Sequence, residues 1–258
     1  MVDYNYIKEL VLSVKDIFLQ KPTNDQIQLK DNASLVTDSD IKVQELVTSK
    51  LKEQYPEVLI IAEESEVNPK VEKNKSYFII DPIDGTTNFA HGLNHSSISL
   101  AYVHNGEVLY GIVYNPYRDE IFEGFKDKGA YLNGERIFAS ETKRLKDSLI
   151  LFGTNVNKRK DENELTDLFR SIRNIYINSH GTRRTGSGSL DICYVACGRA
   201  EGFFERKLGA WDIAAGYIIA KEAGAIMLNY DKTPIDVIDH MGVIVTNKYI
   251  LDELLENL

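Results

Sequence analysis

The feature that most constrains this chain is a pair of aspartates, Asp81 and Asp84, that directly follows an apolar run. The run, Tyr77–Ile80, is rich in aromatic and β-branched residues, so it predicts a buried β-strand. Pro82 and Gly85 predict a rigid turn, because proline fixes φ and glycine tolerates positive φ. Two carboxylates held this close repel each other unless a cation lies between them. Asp-Pro and Asp-Gly are also ordinary turn formers, but the order of residues favours a cation-binding turn.

Two further acids are placed where they can join this pair. Val58–Ala62 predicts a short buried strand that ends at Glu63. If that strand lies beside Tyr77–Ile80, Glu63 and the two aspartates share one edge of a sheet. Asp212 opens a helix predicted from Trp211 to Ala223, where an acid alone can serve merely as a helix cap. No histidine or cysteine cluster accompanies these acids, and an all-oxygen site suits Mg²⁺ or Mn²⁺.

The order of elements predicts an α+β or α/β protein, a layered αβαβα sandwich of two subdomains. Residues 1–143 are expected to form an N-terminal subdomain that carries most metal ligands, with an antiparallel sheet packed on two helices. The helices are predicted over residues 3–20 and from residue 38 to Pro56, separated by a polar loop at 21–36. The strands are predicted at 58–62, 77–80, 97–103, 108–115, 121–125 and 130–132.

Residues 144–258 are expected to form a C-terminal subdomain with a mixed sheet, flanking helices, Asp212 and the substrate pocket. Its predicted strands are at 149–152, 175–177, 202–205, 225–228 and 242–246. Its predicted helices lie near 161–173, at 190–197, at 211–223 and at the C-terminus.

The composition argues against several classes of function. The 258 residues carry a net charge of -9, whereas a nucleic-acid surface needs clustered lysine and arginine. No apolar run approaches transmembrane length and no signal-peptide pattern is present, so we expect a cytoplasmic protein without membrane contact. Cys193 and Cys197 have the spacing of one helix face and are expected to be reduced thiols. His91 and His95 are expected to be structural or rim residues.

Small residues dominate Gly181–Ser189, just before the helix predicted at Leu190–Cys197. This pattern predicts backbone N–H groups free to bind an anion. Arg183 and Arg184 in this run have two interpretations. They can pair with acids across a dimer or subdomain contact, which we favour, or one can reach a second phosphate on a substrate.

Two stretches, Asp81–Phe89 and Trp211–Gly216, resemble the motifs of the inositol monophosphatase family, a branch of the lithium-sensitive, Mg²⁺-dependent sugar phosphatases. The resemblance extends over nearly the whole chain, because four more segments follow in family order: Leu35–Asp40, Ala62–Ser65, Arg183–Ser189 and Gly202–Glu205. It implies a phosphate monoester hydrolase that uses two or three Mg²⁺ ions, with Mn²⁺ as an alternative. It also implies in-line attack by an activated water without a covalent intermediate, and a homodimer.

The resemblance implies two overlapping sets of metal ligands. Glu63, Asp81 and the backbone carbonyl of Ile83 would bind the first ion. Asp81, Asp84 and Asp212 would bind the second.

The resemblance also implies roles around the reacting phosphate. Thr86, paired with Asp40, would position and activate the attacking water, which would also lie near Glu63. The phosphate would meet the backbone amides of Gly85 and Thr86. The remaining substrate contacts would come from Gly186, Ser187, Glu205 and Asp212.

Departures from the family pattern are few. Lys30 stands about one residue away from a mobile metal-loop lysine of the family. Ala62 stands where a glycine often precedes the glutamate pair. Gly188 stands where the family usually has alanine, so the pocket shape there is left open.

Several substrates share this metal core. Besides inositol phosphate they include fructose 1,6-bisphosphate, NADP(H) and 3′-phosphoadenosine 5′-phosphate. A nucleotide would favour an aromatic side chain for stacking near residues 155–190, and Tyr176 is the candidate. A hypothesis of a different class is a non-catalytic regulator that binds RNA polymerase or a ribosome factor. The complete set of acids argues against that loss of catalysis.

Overall fold

Helices and sheets alternate in five layers in the computed structural model, which describes residues 2–30, 35–154, 162–239 and 242–258. This is the predicted αβαβα sandwich. The helices of these residues are α1 Tyr4–Leu12, α2 Lys15–Phe18, α3 Asp38–Gln54, α4 Thr86–His91, α5 Glu162–Asn178, α6 Gly188–Ala196, α7 Ala210–Glu222 and α8 Leu251–Asn257.

Three sheets hold the strands of the described residues. A two-stranded antiparallel sheet pairs β1 Ile27–Leu29 with β2 Leu35–Thr37. A seven-stranded sheet has the order β3 Leu59–Ala62, β4 Ser76–Asp84, β5 Ser97–His104, β6 Glu107–Asn115, β7 Glu120–Phe125, β8 Gly129–Leu132 and β9 Glu135–Ile137. A five-stranded sheet has the order β11 Gly181–Arg183, β10 Leu149–Phe152, β12 Gly202–Arg206, β14 Gly242–Thr246 and β13 Ile226–Asn229.

Alternate residues of β4 face different layers, as the period of a strand requires. Phe78 and Ile80 point to the outer side, where they pack with α1 and α3 in one apolar core. Tyr77 and Ile79 point inward to a second core, which includes residues of α6, α7 and the five-stranded sheet. Both faces of β4 are therefore buried.

The N-terminal helix is shorter than predicted. Instead of one helix over residues 3–20, α1 ends at Leu12 and α2 begins at Lys15. The Ser13 hydroxyl donates to the carbonyl oxygen of Leu10 at 2.6 Å, and such side-chain bonds to the preceding turn compete with the helix. The prediction of a polar loop at 21–36 also missed β1 and β2, while residues 31–34 lie outside the described part of the chain.

The strand predicted at 175–177 is wrong, because these residues belong to α5. Their β-branched and aromatic side chains suggested a strand, but the buried positions of α5 are Leu168, Ser171 and Ile175, which have helical spacing. Tyr176 and Ile177 face away from the core and are exposed. The strand that follows is β11, and the sequence pattern also missed the short edge strand β9.

The boundary between the subdomains at residues 143 and 144 stays a prediction, since one apolar core includes residues from both sides of it. Among the helices of the described residues, none is long and apolar enough to cross a membrane.

Candidate active site

Two parallel strands bring the first acids to one edge of the seven-stranded sheet. β3 pairs with β4 in parallel, and Ala62 lies opposite Ile80. Glu63 directly follows β3, and its N–H donates to the carbonyl of Ile80 at 3.2 Å. The condition for a shared edge, that these strands are neighbours, is met, so Glu63 and Asp81 lie at the same edge.

Three aspartates converge at this edge although one of them is far away in the sequence. Asp81 and Asp84 come from the end of β4, and Asp212 comes from the first turn of α7. Each offers a carboxylate oxygen, and the three oxygens lie within 4.8 Å of one another. Asp81 is held by the N–H of Ile83 at 3.0 Å, and Asp212 accepts a hydrogen bond from the N–H of Gly209.

The charge of this cluster is unfavourable without a cation. Burial raises the pKa of Asp81 well above its usual value, and repulsion by Glu63, Asp84 and Asp212 raises it further. Burial and repulsion by Asp84 and Glu63 likewise raise the pKa of Asp212. A cluster of carboxylate oxygens of this kind fits a hard divalent cation, which would remove the repulsion.

Glu63 lies between this cluster and a lysine. Its carboxylate accepts a hydrogen bond from the Nζ of Lys30 at 3.2 Å, and the neighbouring Glu64 accepts one at 2.8 Å. Burial raises the pKa of Glu63, while the charge of Lys30 and a hydrogen bond with Asp81 oppose that rise. The predicted ligand Glu63 is therefore beside Asp81, and Lys30 is beside Glu63.

Asp40 and Thr86 form the pair that the family resemblance implied. The Thr86 hydroxyl lies 3.3 Å from Asp40 Oδ1 and 3.1 Å from the carbonyl oxygen of Ile83. The other oxygen of Asp40 accepts hydrogen bonds from the N–H and the hydroxyl of Thr37. Burial is the main cause that raises the pKa of Asp40 to about 7, and nearby Glu64 and Glu63 add to it.

Gly85 makes the turn that directs this part of the site. Its φ is +86°, in the left-handed region, which glycine adopts without steric cost. A Cβ at this position would lie 3.0 Å from the carbonyl oxygen of Gly186 and 3.3 Å from the Ser187 side chain. The turn therefore brings the start of α4 against the Gly186–Ser187 segment.

An anion does lie at the predicted amides at the start of α6, but it is the carboxylate of Asp84. The N–H of Ser189 donates to Asp84 Oδ2 at 2.8 Å, and the N–H of Gly188 donates to Oδ1 at 3.2 Å. The buried hydroxyl of Ser187 also donates to Asp84. The expectation of free N–H groups is therefore wrong for these two amides, since Asp84 caps α6.

Glu205 lies at the end of β12 with its carboxyl group against the backbone of Gly153. A Cβ added to Gly153 would lie 1.8 Å from the carboxyl carbon of Glu205, which is a full overlap. A Cβ added to Gly188 would be 3.8 Å from Glu205 Oε2, an ordinary contact. The position of Glu205 thus depends on the absence of a side chain at residue 153.

Several residues of the site were missed by the sequence reasoning. The amide nitrogen of Asn88 donates to the carbonyls of His95 and Thr185, each at 2.8 Å, and joins two loops. Asp191 is buried and accepts a 2.6 Å hydrogen bond from the Thr185 hydroxyl. Asn88 lies inside the Asp81–Phe89 motif, and this position could have marked it as a site residue. Asp191 lies in a helix outside both motifs, and no sequence pattern marked it.

The remaining candidates are not members of the three-aspartate cluster found among the described residues. Arg184 donates to the Thr154 hydroxyl at 2.8 Å, and Arg183 donates to the carbonyl of its neighbour Thr182. His95 packs against the ring of Tyr194 at 5.9 Å. The metal-type cluster found among the described residues contains no histidine. Tyr176, the candidate for stacking on a nucleotide, is 64% exposed on α5.

Comparison with known proteins gives a consistent result. The model of the inositol monophosphatase family matches residues 2–258. The inositol-1-monophosphatase of Rhizobium meliloti is 38% identical over 202 residues, which cover 78% of this chain and 74% of the relative. The Nus factor SuhB of Vibrio cholerae is 36% identical over 205 residues, or 80% and 75% of the two chains. The structure of the Thermotoga maritima IMPase has a TM-score of 0.88 and 32% identity, covering 98% of this chain and 95% of that one.

These matches confirm the resemblance inferred from the two motifs. The family is metal-dependent, and the converging carboxylates of this chain fit that property. Because the family model spans nearly the whole chain, this protein belongs to the inositol monophosphatase family and is a phosphoric monoester hydrolase.

Proposed function

We propose that this phosphatase hydrolyses the phosphate monoester of a small polyol, with inositol 1-phosphate as the first candidate, and that it depends on Mg²⁺. The observation that carries the proposal is the convergence of the Asp81, Asp84 and Asp212 oxygens within 4.8 Å. Glu63 and the Ile83 carbonyl lie at the same edge and, with Asp81, would complete the first proposed ligand set. When bound, the ions would lower the pKa of a water and stabilise charge on the phosphate.

Thr86 is proposed to orient the attacking water. A threonine hydroxyl has one proton, and both Asp40 and the Ile83 carbonyl are within its reach. Once that proton is donated to either acceptor, the lone pairs of the Thr86 oxygen are free to accept a hydrogen bond from water. Positioning of this kind supplies much of the rate enhancement in phosphoryl transfer.

The organic part of the substrate is proposed to meet Glu205. This carboxylate lies near the end of β12, beside Gly188 at the start of α6, and its charge is one of the causes that raise the pKa of Asp212. A carboxylate is a strong acceptor for the hydroxyl groups of a polyol. The amides of Gly85 and Thr86 are the proposed contacts of the phosphate, and Gly186 and Ser187 are the proposed neighbours of the substrate.

Other substrates and properties stay secondary proposals. Fructose 1,6-bisphosphate, NADP(H) and 3′-phosphoadenosine 5′-phosphate would use the same metal ligands. A cytoplasmic homodimer and the division at residues 143 and 144 are proposed from the sequence and the family resemblance. The relative named Nus factor SuhB keeps a regulatory role open as a further candidate, beside catalysis.

A panel assay tests the main proposal. Phosphate release is measured from inositol 1-phosphate, fructose 1,6-bisphosphate, NADP and 3′-phosphoadenosine 5′-phosphate, with Mg²⁺, with excess EDTA, and with Mg²⁺ plus millimolar Li⁺. We expect the highest kcat/KM for inositol 1-phosphate and inhibition by Li⁺. We expect loss of turnover in EDTA because no ion is then present to lower the pKa of the water and to stabilise charge on the phosphate. Full turnover in EDTA would refute metal dependence, and preference for a nucleotide would refute the polyol assignment.

Substitution of Gly153 tests the proposed role of Glu205. In Gly153→Ala the new methyl group overlaps the Glu205 carboxyl group, so Glu205 must move away from its position. We expect KM for inositol 1-phosphate to rise by about tenfold, as for the loss of one hydrogen bond to a charged group, with a smaller change in kcat.

The matched control for this prediction is Gly188→Ala, whose methyl group makes only ordinary contacts of 3.5 Å or more. Its effect on KM should be clearly smaller than that of Gly153→Ala. Equal KM values for Gly153→Ala and the unaltered protein would contradict the proposed contact between Glu205 and the substrate.

A further inference from the structure

Two serines bind Asp84 with their hydroxyls, and a third, from another part of the chain, binds one of those two. Ser187 and Ser189, at the start of α6, both donate their hydroxyls to Asp84 Oδ2. Ser97, the first residue of β5, has its hydroxyl 2.9 Å from that of Ser189. All three serines are buried.

The protons of this network can be assigned by counting. Each serine hydroxyl carries one proton and can also accept hydrogen bonds. The proton of Ser189 is directed to Asp84, so the contact between Ser97 and Ser189 requires Ser97 to donate. The chain therefore runs from Ser97 to Ser189 to Asp84, and each donor strengthens the next by polarisation.

The two carboxylate oxygens of Asp84 accept different numbers of hydrogen bonds. Oδ2 accepts the hydroxyls of Ser187 and Ser189 and the N–H of Ser189, which uses more than the two lone-pair directions of one carboxylate oxygen. Oδ1 accepts one longer contact of 3.2 Å, from the N–H of Gly188. Oδ1 is thus the oxygen left for a cation.

We propose that Ser189, supported by Ser97, is a positioning residue that holds Asp84 with Oδ1 turned to the metal site. The inference rests on the proposed metal dependence and adds two residues to it. Capping of α6 does not need either hydroxyl, because the N–H groups of Gly188 and Ser189 already bind the Asp84 carboxylate. Hydrogen bonds to metal ligands typically change metal affinity by about 10–100-fold when they are removed.

Direct metal binding tests the proposal without an activity assay. Mn²⁺ is titrated into the metal-free protein and followed by electron paramagnetic resonance and calorimetry. Ser189→Ala should raise the Kd for Mn²⁺ by about tenfold, because Asp84 loses one of its orienting donors. Ser97→Ala, which removes a hydroxyl that bonds to Ser189 and not to Asp84, should raise it by a smaller factor. Phosphate release should then need correspondingly more Mg²⁺ for half-maximal rate.

Ser148→Ala is the control, since Ser148 is also buried but donates to the carbonyl of Arg144 away from the site. Its Kd for Mn²⁺ should equal that of the unaltered protein. A Kd in Ser189→Ala within twofold of the unaltered value, together with a lower melting temperature, would show a purely structural serine and overturn the inference. Failure of the unaltered protein to bind Mn²⁺ would instead overturn the metal assignment itself, and the inference with it.

Discussion

Asp212→Asn is expected to reduce phosphate release from the best substrate by on the order of a thousandfold, because a ligand set that contributes several kcal/mol of transition-state stabilisation loses a charge. Asp212 is the only member of the three-aspartate cluster that comes from the second half of the chain. Its replacement therefore removes the contribution of α7 to the proposed second metal ion while β4 keeps both of its acids.

The fold should survive this substitution. The Asp212 carboxylate accepts a hydrogen bond from the N–H of Gly209 at the start of α7, and an amide oxygen can accept the same bond. Burial and the repulsion by Asp84 and Glu63 already disfavour the charged form of Asp212. We therefore expect the melting temperature of the metal-free variant to equal or exceed that of the unaltered protein, measured by circular dichroism.

Asp191→Asn provides a matched control for this experiment. Asp191 is also buried and near the site, but it binds the Thr185 hydroxyl and lies outside the aspartate cluster. Burial raises its pKa well above the usual value, so an amide is a close replacement for its neutral form. Its loss of kcat should stay below tenfold. A kcat for Asp212→Asn within tenfold of the unaltered protein would contradict the proposed second set of ligands.

The local parts of the site could be predicted from the sequence because short-range rules determine them. An apolar run predicts a strand, and proline and glycine predict the turn that follows it. The place of Asp81 and Asp84 at the end of β4 needed nothing else. The shared edge of Glu63 and the two aspartates was predicted on the condition that β3 and β4 are neighbours, and the structure meets that condition with a parallel pair.

Contacts between distant segments could not be predicted by these rules. Asp84 and Ser189 are 105 positions apart, and only the packing of α6 between the two sheets brings them together. The contact of Glu205 with Gly153 has the same origin. The error at Ile175–Ile177 is of another kind. The local preference of these residues favours a strand, but the buried face that Ile175 forms with Leu168 and Ser171 has helical spacing. Tertiary packing overrides the local preference here.

The metal-free protein is expected to lose stability as the pH rises from 5.5 to 8. In the folded state the pKa of Asp40 is about 7, whereas an aspartate in the unfolded chain has a pKa of about 3.9. At a pH between these two pKa values, Asp40 is deprotonated in the unfolded chain but still protonated in the folded protein. Rising pH therefore favours unfolding. Since one pKa unit corresponds to about 1.4 kcal/mol, Asp40 alone lowers the free energy of unfolding by a few kcal/mol above pH 7. The raised pKa values of Asp81 and Asp212 act in the same direction.

Mg²⁺ should reverse this trend. Metal ligands bind in their deprotonated form, so the ion competes with protons for the same acids and binds more tightly at pH 8 than at pH 5.5. A concentration of one hundred times the Kd stabilises the folded state by about 2.7 kcal/mol. The increase in melting temperature caused by Mg²⁺ should therefore be larger at pH 8 than at pH 5.5.

Asp40→Asn isolates the contribution of one acid to this pH dependence. The amide oxygen can accept the two hydrogen bonds from Thr37, and the amide nitrogen can donate to the Thr86 hydroxyl, which then donates to the Ile83 carbonyl. In EDTA, the stability of the variant relative to the unaltered protein should be higher at pH 8 than at pH 5.5, because the unaltered protein loses stability as the pH approaches the folded pKa of Asp40. Asp38→Asn, in the same helix turn, should follow the unaltered curve. Parallel curves for Asp40→Asn and the unaltered protein would show that Asp40 does not carry the raised pKa. The pH dependence of the free energy of unfolding would then have to come from Asp81, Asp212 and Glu63.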